Sequence, residues 1–184
     1  MEIKNTNNFF YWSLILVFLF VSCNRNKSPK EIFNDKTPGR KVIATYENNS
    51  PQAVAFFEEG ASKENIDQRI GEMYYYENKQ VYMGGGIKNN KRVGIWEAFF
   101  EDGTLQTKAF YIDGKEDGDY KVYHPNGKIL MHGHYDHGIC DGVWRFYDPK
   151  GKLQKEIHTK KGEIACGVCE RCQKISQSKS LNSK

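Results

Sequence analysis

Between Gly94 and Gly162 the chain repeats itself every 24 residues, and a fixed period of that size marks a stacked repeat array. Gly94, Gly118 and Gly142 open the blocks. Gly103, Gly127 and Gly151 follow nine residues later, and Gly114, Gly138 and Gly162 keep the same interval. Trp96, Tyr120 and Trp144 form one column between them, Phe99, Tyr123 and Tyr147 a second, and Leu105, Ile129 and Leu153 a third. All nine glycines read as structural turn positions, where a residue without Cβ takes positive φ freely. Each block then holds two short strands rich in β-branched and aromatic residues. Strand direction and facing return after two strands, so like residues recur on one side at roughly 9.6 Å. The aromatic columns therefore flank residues of the intervening strand.

Period-2 alternation in the first strand of a block puts Trp96, Ala98 and Phe100 on one face and Glu97 and Phe99 on the other. Neither face is fully polar. The expected fold is all-β: an antiparallel meander of hairpins forming an elongated, twisted, single-layer sheet, shielded on both sides by Tyr and Trp. Gly84-Gly85-Gly86 is read as strand without side chains, bulged or lying under a bulky neighbour, since no Lys-Ser/Thr completes a phosphate loop.

The pattern G-x-W-x-x-[FY]-x-x-x-G-x-L, repeated in register, resembles the MORN repeat, particularly its bacterial variant, often labelled YwqK-type antitoxin. The resemblance covers roughly residues 46–162 and is clearest from Gly94 onward. It implies one hairpin per repeat and an interaction or scaffold role without turnover. Lys79 stands in place of a turn glycine and Glu72 in the Trp column, so the first complete block reads as slipped or capping. The aromatic residues Trp96, Phe99, Tyr120, Tyr123, Trp144 and Tyr147 serve first as packing. They are also the candidate partner-binding residues.

Residues 1–22 read as a signal peptide. Phe9 to Val21 is apolar apart from Ser13, short for a membrane span, and ends in Phe20-Val21-Ser22-Cys23. A small residue before Cys resembles the bacterial lipobox, which makes Cys23 the expected lipidation site and the first residue of the mature chain. Residues 23–41 read as a lipidated flexible tether and residues 42–165 as the repeat domain. Residues 166–184 read as a Cys-containing basic tail. Asn24 after the lipid Cys favours the outer membrane, facing the periplasm. Within the domain, residues 42–57 form a degenerate hairpin and residues 58–67 an inserted polar loop.

Charge is segregated. Residues 24–41 carry six basic and two acidic side chains, the tail four and one, and residues 42–165 carry 16 basic against 19 acidic. Basic ends around a slightly acidic sheet suit an anionic membrane surface and exclude a nucleic-acid partner, which needs a basic stripe on the folded part. The partners expected are the membrane, through lipid on Cys23, and an envelope protein or glycan.

Cys140, Cys166, Cys169 and Cys172 remain past the signal. An exported compartment makes disulfides the first reading, with three pairings open. A zinc site using Cys166, Cys169, Cys172 and Cys140 is the lesser one, and His132 and His134 extend that alternative to a metal-binding or redox lipoprotein. No cofactor is expected. No nucleophile–base pattern is spelled, so no catalytic residue is named. An antitoxin-like member of a toxin–antitoxin pair is the remaining alternative.

Overall fold

Two kinds of turn, alternating along the chain, set the topology. The computed structural model describes residues 27–162. Its ten strands pair strictly in chain order as one open antiparallel meander. They are β1 (Arg40–Thr45), β2 (Pro51–Phe56), β3 (Gly71–Tyr75), β4 (Val81–Lys88) and β5 (Lys91–Phe99), then β6 (Leu105–Ile112), β7 (Lys115–Tyr123), β8 (Ile129–Asp136), β9 (Ile139–Tyr147) and β10 (Leu153–Thr159). At about 4.8 Å per strand the sheet is about 43 Å across. The all-β meander expected from the repeat is the fold observed.

Two-residue turns occur at Asn89-Asn90, Asp113-Gly114 and His137-Gly138, each with positive φ at both centres, the I′ signature that suits a right-twisted hairpin. Lys161-Gly162 repeats the same dihedral pattern after β10. The longer turns carry positive φ at Gly103, Gly127 and Gly151. Lys79 holds the equivalent place at φ 67, and its amide donates to the Tyr76 carbonyl at 2.9 Å. The slip suggested by Lys79 is thus absent: a Lys adopts the turn that glycine takes elsewhere.

Gly94, Gly118 and Gly142 are not turn residues. They lie inside β5, β7 and β9 at positive φ, beside register shifts against β4, β6 and β8. An αL glycine at a bulge bends a strand and raises its twist. A second shift follows in each block, between Ala98 and Phe99, Val122 and Tyr123, and on β10 between Leu153 and Lys155.

Cross-strand register builds one row from large and small residues in turn: Ala55, Glu72, Gly85, Trp96, Ala109, Tyr120 and Gly133, with Trp144 paired to Ile157 beyond it. Each large ring lies over the small residue beside it. A Cβ on Gly85 would stand 2.5 Å from the Trp96 ring and one on Gly133 2.2 Å from the Trp144 ring. Within the Gly84–Gly86 stretch Gly85 is therefore roofed by an aromatic, while the bulge lies opposite it, at Gly94 in β5. The row buries Trp144 with Met131, Tyr135, Cys140 and Ile157, against which Tyr120, Val122 and Phe146 pack.

The opposite face has a different cover. Residues 28–33, expected in the tether, contain a one-turn helix, α1 (Pro29–Ile32), with a capping box formed by Ser28 and Glu31. Phe33 packs on Phe56 with ring centroids 5.1 Å apart, in a cluster with Val54 and Met73, and lies over Gly71. A buried aromatic contributes about 1.5–3 kcal/mol relative to an exposed one, enough to outweigh the polar composition of the segment. Its last residues, Arg40 and Lys41, already belong to β1.

Candidate functional site

The six aromatic candidates divide by burial. Trp96 is 4% exposed, Phe99 6% and Trp144 0%, so none of these three is offered to a partner. Trp96 donates from Nε1 to the Gly86 carbonyl at 3.0 Å, and the Arg92 guanidinium lies 4.2 Å above its ring. Trp144 meets Tyr135 edge-on at 5.0 Å and Tyr120 at 6.1 Å. Phe99, on the other face, is capped by the Lys30 ammonium 3.4 Å from the ring centroid. Tyr120, Tyr123 and Tyr147 are half-buried. These columns hold a one-layer sheet together because each ring shields backbone that a second layer would cover in a sandwich.

A trough opens where the Trp column stops. At the first complete block Glu72 replaces Trp and is itself 8% exposed, held by Arg69 and by the Tyr74 hydroxyl at 2.9 Å. Beside it the sheet surface is alanine. A groove of about 450 Å³ results, floored by Ala44 and Ala53 and walled by Tyr46, Tyr74, Tyr76 and Tyr82. The walls are fixed. Tyr46 donates to the Tyr75 carbonyl at 2.7 Å, Tyr76 to the Phe99 carbonyl at 2.9 Å, and the Tyr76 and Tyr82 rings meet at 5.0 Å. Burial pushes the Tyr74 phenol above its ordinary value, and its bond to Glu72 and the carboxylate charge push the same way. Tyr82 is 41% exposed and Gln52 is exposed at the rim. Among the described residues no charged side chain lines this groove. It can take a flat apolar surface against the rings and hydrogen-bond it through phenol oxygens and the Gln52 amide.

Sequence reading missed the trough. Its signal was present in Tyr74-Tyr75-Tyr76 and Tyr82, a cluster of phenols near the alanines at 44 and 53.

The other face carries a charged row. Glu97, Lys108, Lys121, His132, Arg145 and Glu156 are successive cross-strand neighbours. Each cation meets a carboxylate: Lys108 with Glu97 at 3.0 Å, Lys121 with Asp119 at 3.2 Å, Arg145 with Glu156 at 2.8 Å. Burial opposes ionisation of Asp119, but Lys121 and His132 outweigh it and hold the carboxyl below its ordinary value.

The metal reading of His132 and His134 does not fit this setting. His132 stands between Lys121 and Arg145, while His134 lies past a register shift between Asp119 and Asp141. Two cationic neighbours oppose binding of a third cation at His132. Among the described residues one set of possible ligands converges, Asp117, Asp136 and His137, with atoms within 4.8 Å. His137 Nδ1 lies 2.8 Å from Asp117 and 2.9 Å from Asp136, contacts that fasten the turn. Cys140 is fully buried and disulfide-bonded, with its partner outside the described residues. Cys23, Cys166, Cys169 and Cys172 also lie outside them. Among the described residues no helix is long and apolar enough to cross a membrane.

Comparison with known families agrees with the geometry. Residues 92–113, 116–137 and 141–161 each match the family model described as MORN repeat variant. No curated protein matches the chain. The matched segments begin within β5, β7 and β9 and run through β6, β8 and β10, so each is one bulged strand and its hairpin partner. The sheet from β5 to β10 is an array of three MORN repeats.

Proposed function

We propose that this protein is an exported lipoprotein, anchored through Cys23, whose repeat sheet is a non-catalytic interaction module for an envelope protein or glycan. MORN repeats make a repeat-based interaction or scaffold module the general role, and the lipobox-like Val21-Ser22-Cys23 supplies the address. The observation that carries the recognition reading is the uncharged, tyrosine-walled trough at the N-terminal end of the array. Tyr46 and Tyr76 are held by backbone carbonyls and Tyr74 by the Glu72 carboxylate, so little side-chain entropy is lost there on binding.

Tyr82→Ala and Gln52→Ala test it. Gln52→Ala should leave stability nearly unchanged, and Tyr82→Ala, which loses the ring contact with Tyr76, should cost about 0.5–1.5 kcal/mol. Retention of envelope material on the immobilised mature protein should fall several-fold. Unchanged retention by the double variant, with folding intact by circular dichroism, would move recognition away from the trough.

A further inference from the structure

Among the described residues, the segment from Ser28 to Phe33 is fastened to one face of the sheet. Ser28 donates from Oγ to Glu97, a 5% exposed carboxylate in β5, and Lys30 caps Phe99 two residues along the same strand. Phe33 then fills the site over Gly71, where a Cβ would lie 2.3 Å from its ring. From Cys23 to Ser28 is five residues, a reach of about 17 Å fully extended. On that same face the row of Lys108, Lys121, His132 and Arg145 ends on β9, about 19 Å from β5.

Resting on the lipoprotein reading above, we infer that this short leash turns the charged face of the sheet toward the lipid headgroups and leaves the aromatic face, with its tyrosine trough, directed away from the bilayer. Leash length carries the inference. Charge assists weakly, because Glu97, Asp119 and Glu156 offset the three cations of the row. A tether attached to the opposite face, or a long one, would bring the trough against the membrane or leave orientation free. The arrangement gives the clasp of residues 28–33 a purpose: it fixes where the chain leaves the sheet.

The experiment uses the full-length lipidated protein in phosphatidylethanolamine/phosphatidylglycerol vesicles doped with a lipid bearing a headgroup nitroxide. A fluorescent residue is placed at position 121 on the charged face or at position 82 in the trough. Position 82, on β4, lies closer than position 121, on β7, to the strand that holds Ser28, so lateral distance alone would favour quenching at 82. The expected result is quenching about twofold stronger at 121, because the leash holds that face within its reach. A flexible Gly/Ser insertion after Asn26 should abolish the difference, and Phe33→Ala should weaken it, with membrane association unchanged. Equal or reversed quenching on protein whose mass shows lipid at Cys23 overturns the orientation and leaves the lipoprotein reading standing. Absence of lipid at Cys23 overturns both.

Discussion

Gly133→Ala isolates what holds a one-layer sheet together. Gly133 lies beneath Trp144, and a Cβ there would stand 2.2 Å from Cδ2 and 2.5 Å from Cε2 and Cε3. Carbon atoms rest at about 3.5–4.0 Å, so the indole must lift by more than about 1 Å. It has nowhere neutral to go. Trp144 is 0% exposed and touches Tyr120 and Tyr135, and these rings lose contact as it rises. Overpacking of this kind costs about 1–3 kcal/mol, while Trp144→Ala costs about 3–5 kcal/mol by emptying the same site. The double variant decides between a specific clash and a general weakness of the strand. With the ring gone the new methyl occupies vacated space, so the double should be more stable than the sum of the singles implies by at least about 1 kcal/mol. Urea unfolding followed by far-ultraviolet circular dichroism, disulfides intact, measures all four corners, and the midpoints should move with little change in m. Additive losses would refute the reasoning and reduce the ring-over-glycine column to coincidence.

Gly142→Ala should behave differently. Gly142 has φ +78 with nothing within 4 Å of a Cβ, so the cost is conformational, about 1–2 kcal/mol, smaller for Gly142→Asn, and additive with Trp144→Ala in the same urea assay. Burial raises the phenols of Tyr74, Tyr75 and Tyr111 above their ordinary values. A raised folded value means stability is complete below the unfolded phenol near pH 10 and is lost as pH rises through the folded values. Absorbance titration at about 295 nm should show a late group of tyrosines ionising together with the loss of β-sheet signal, and simultaneous early ionisation of every phenol would contradict it.

The period, the strand alternation and both kinds of hairpin turn were legible because glycine and aromatic columns recur at one interval. Two features were not. Gly94, Gly118 and Gly142 resemble turn glycines because a turn and a bulge demand the same positive φ, and spacing alone does not separate them. What separates them is register, which only the pairing of both neighbouring strands fixes. The second feature is α1. Its composition is that of a solvated spacer, and one turn is too short for hydrophobic periodicity to show. The capping box in Ser28-Pro29-Lys30-Glu31 was its one local sign, and Phe33 gains its energy from Gly71 and Phe56, far along the chain. Burial of Trp96 and Trp144 was half legible: the columns were plain, but the small residues opposing them at 85, 109 and 133 form a second series at the same interval that gives the first its meaning.

A repeat array gains stability from neighbour contacts, so its ends need something other than another repeat. Here the N-terminal end departs from the pattern in a concerted way. Glu72 takes the Trp position, Arg69 and Tyr74 satisfy its carboxylate, and Asn90 joins Arg69 to Asp67 in the inserted loop. On the opposite face α1 and Phe33 cover Val54, Phe56 and Met73. Lys63 donates to the Arg40 carbonyl, engaging one acceptor of the edge strand β1 with a cation, as natural sheets do to discourage pairing with another chain. The charged residue that ends the column is bonded by Tyr74, which pairs with Ala53 and forms a wall of the groove, so the cap and the groove share that side chain. The cap and the candidate recognition site are thus one structural event. A variant that restores the repeat, Glu72→Trp with Arg69→Gln to remove the stranded cation, should keep the sheet while reshaping the trough, so recognition and folding come apart in a single protein.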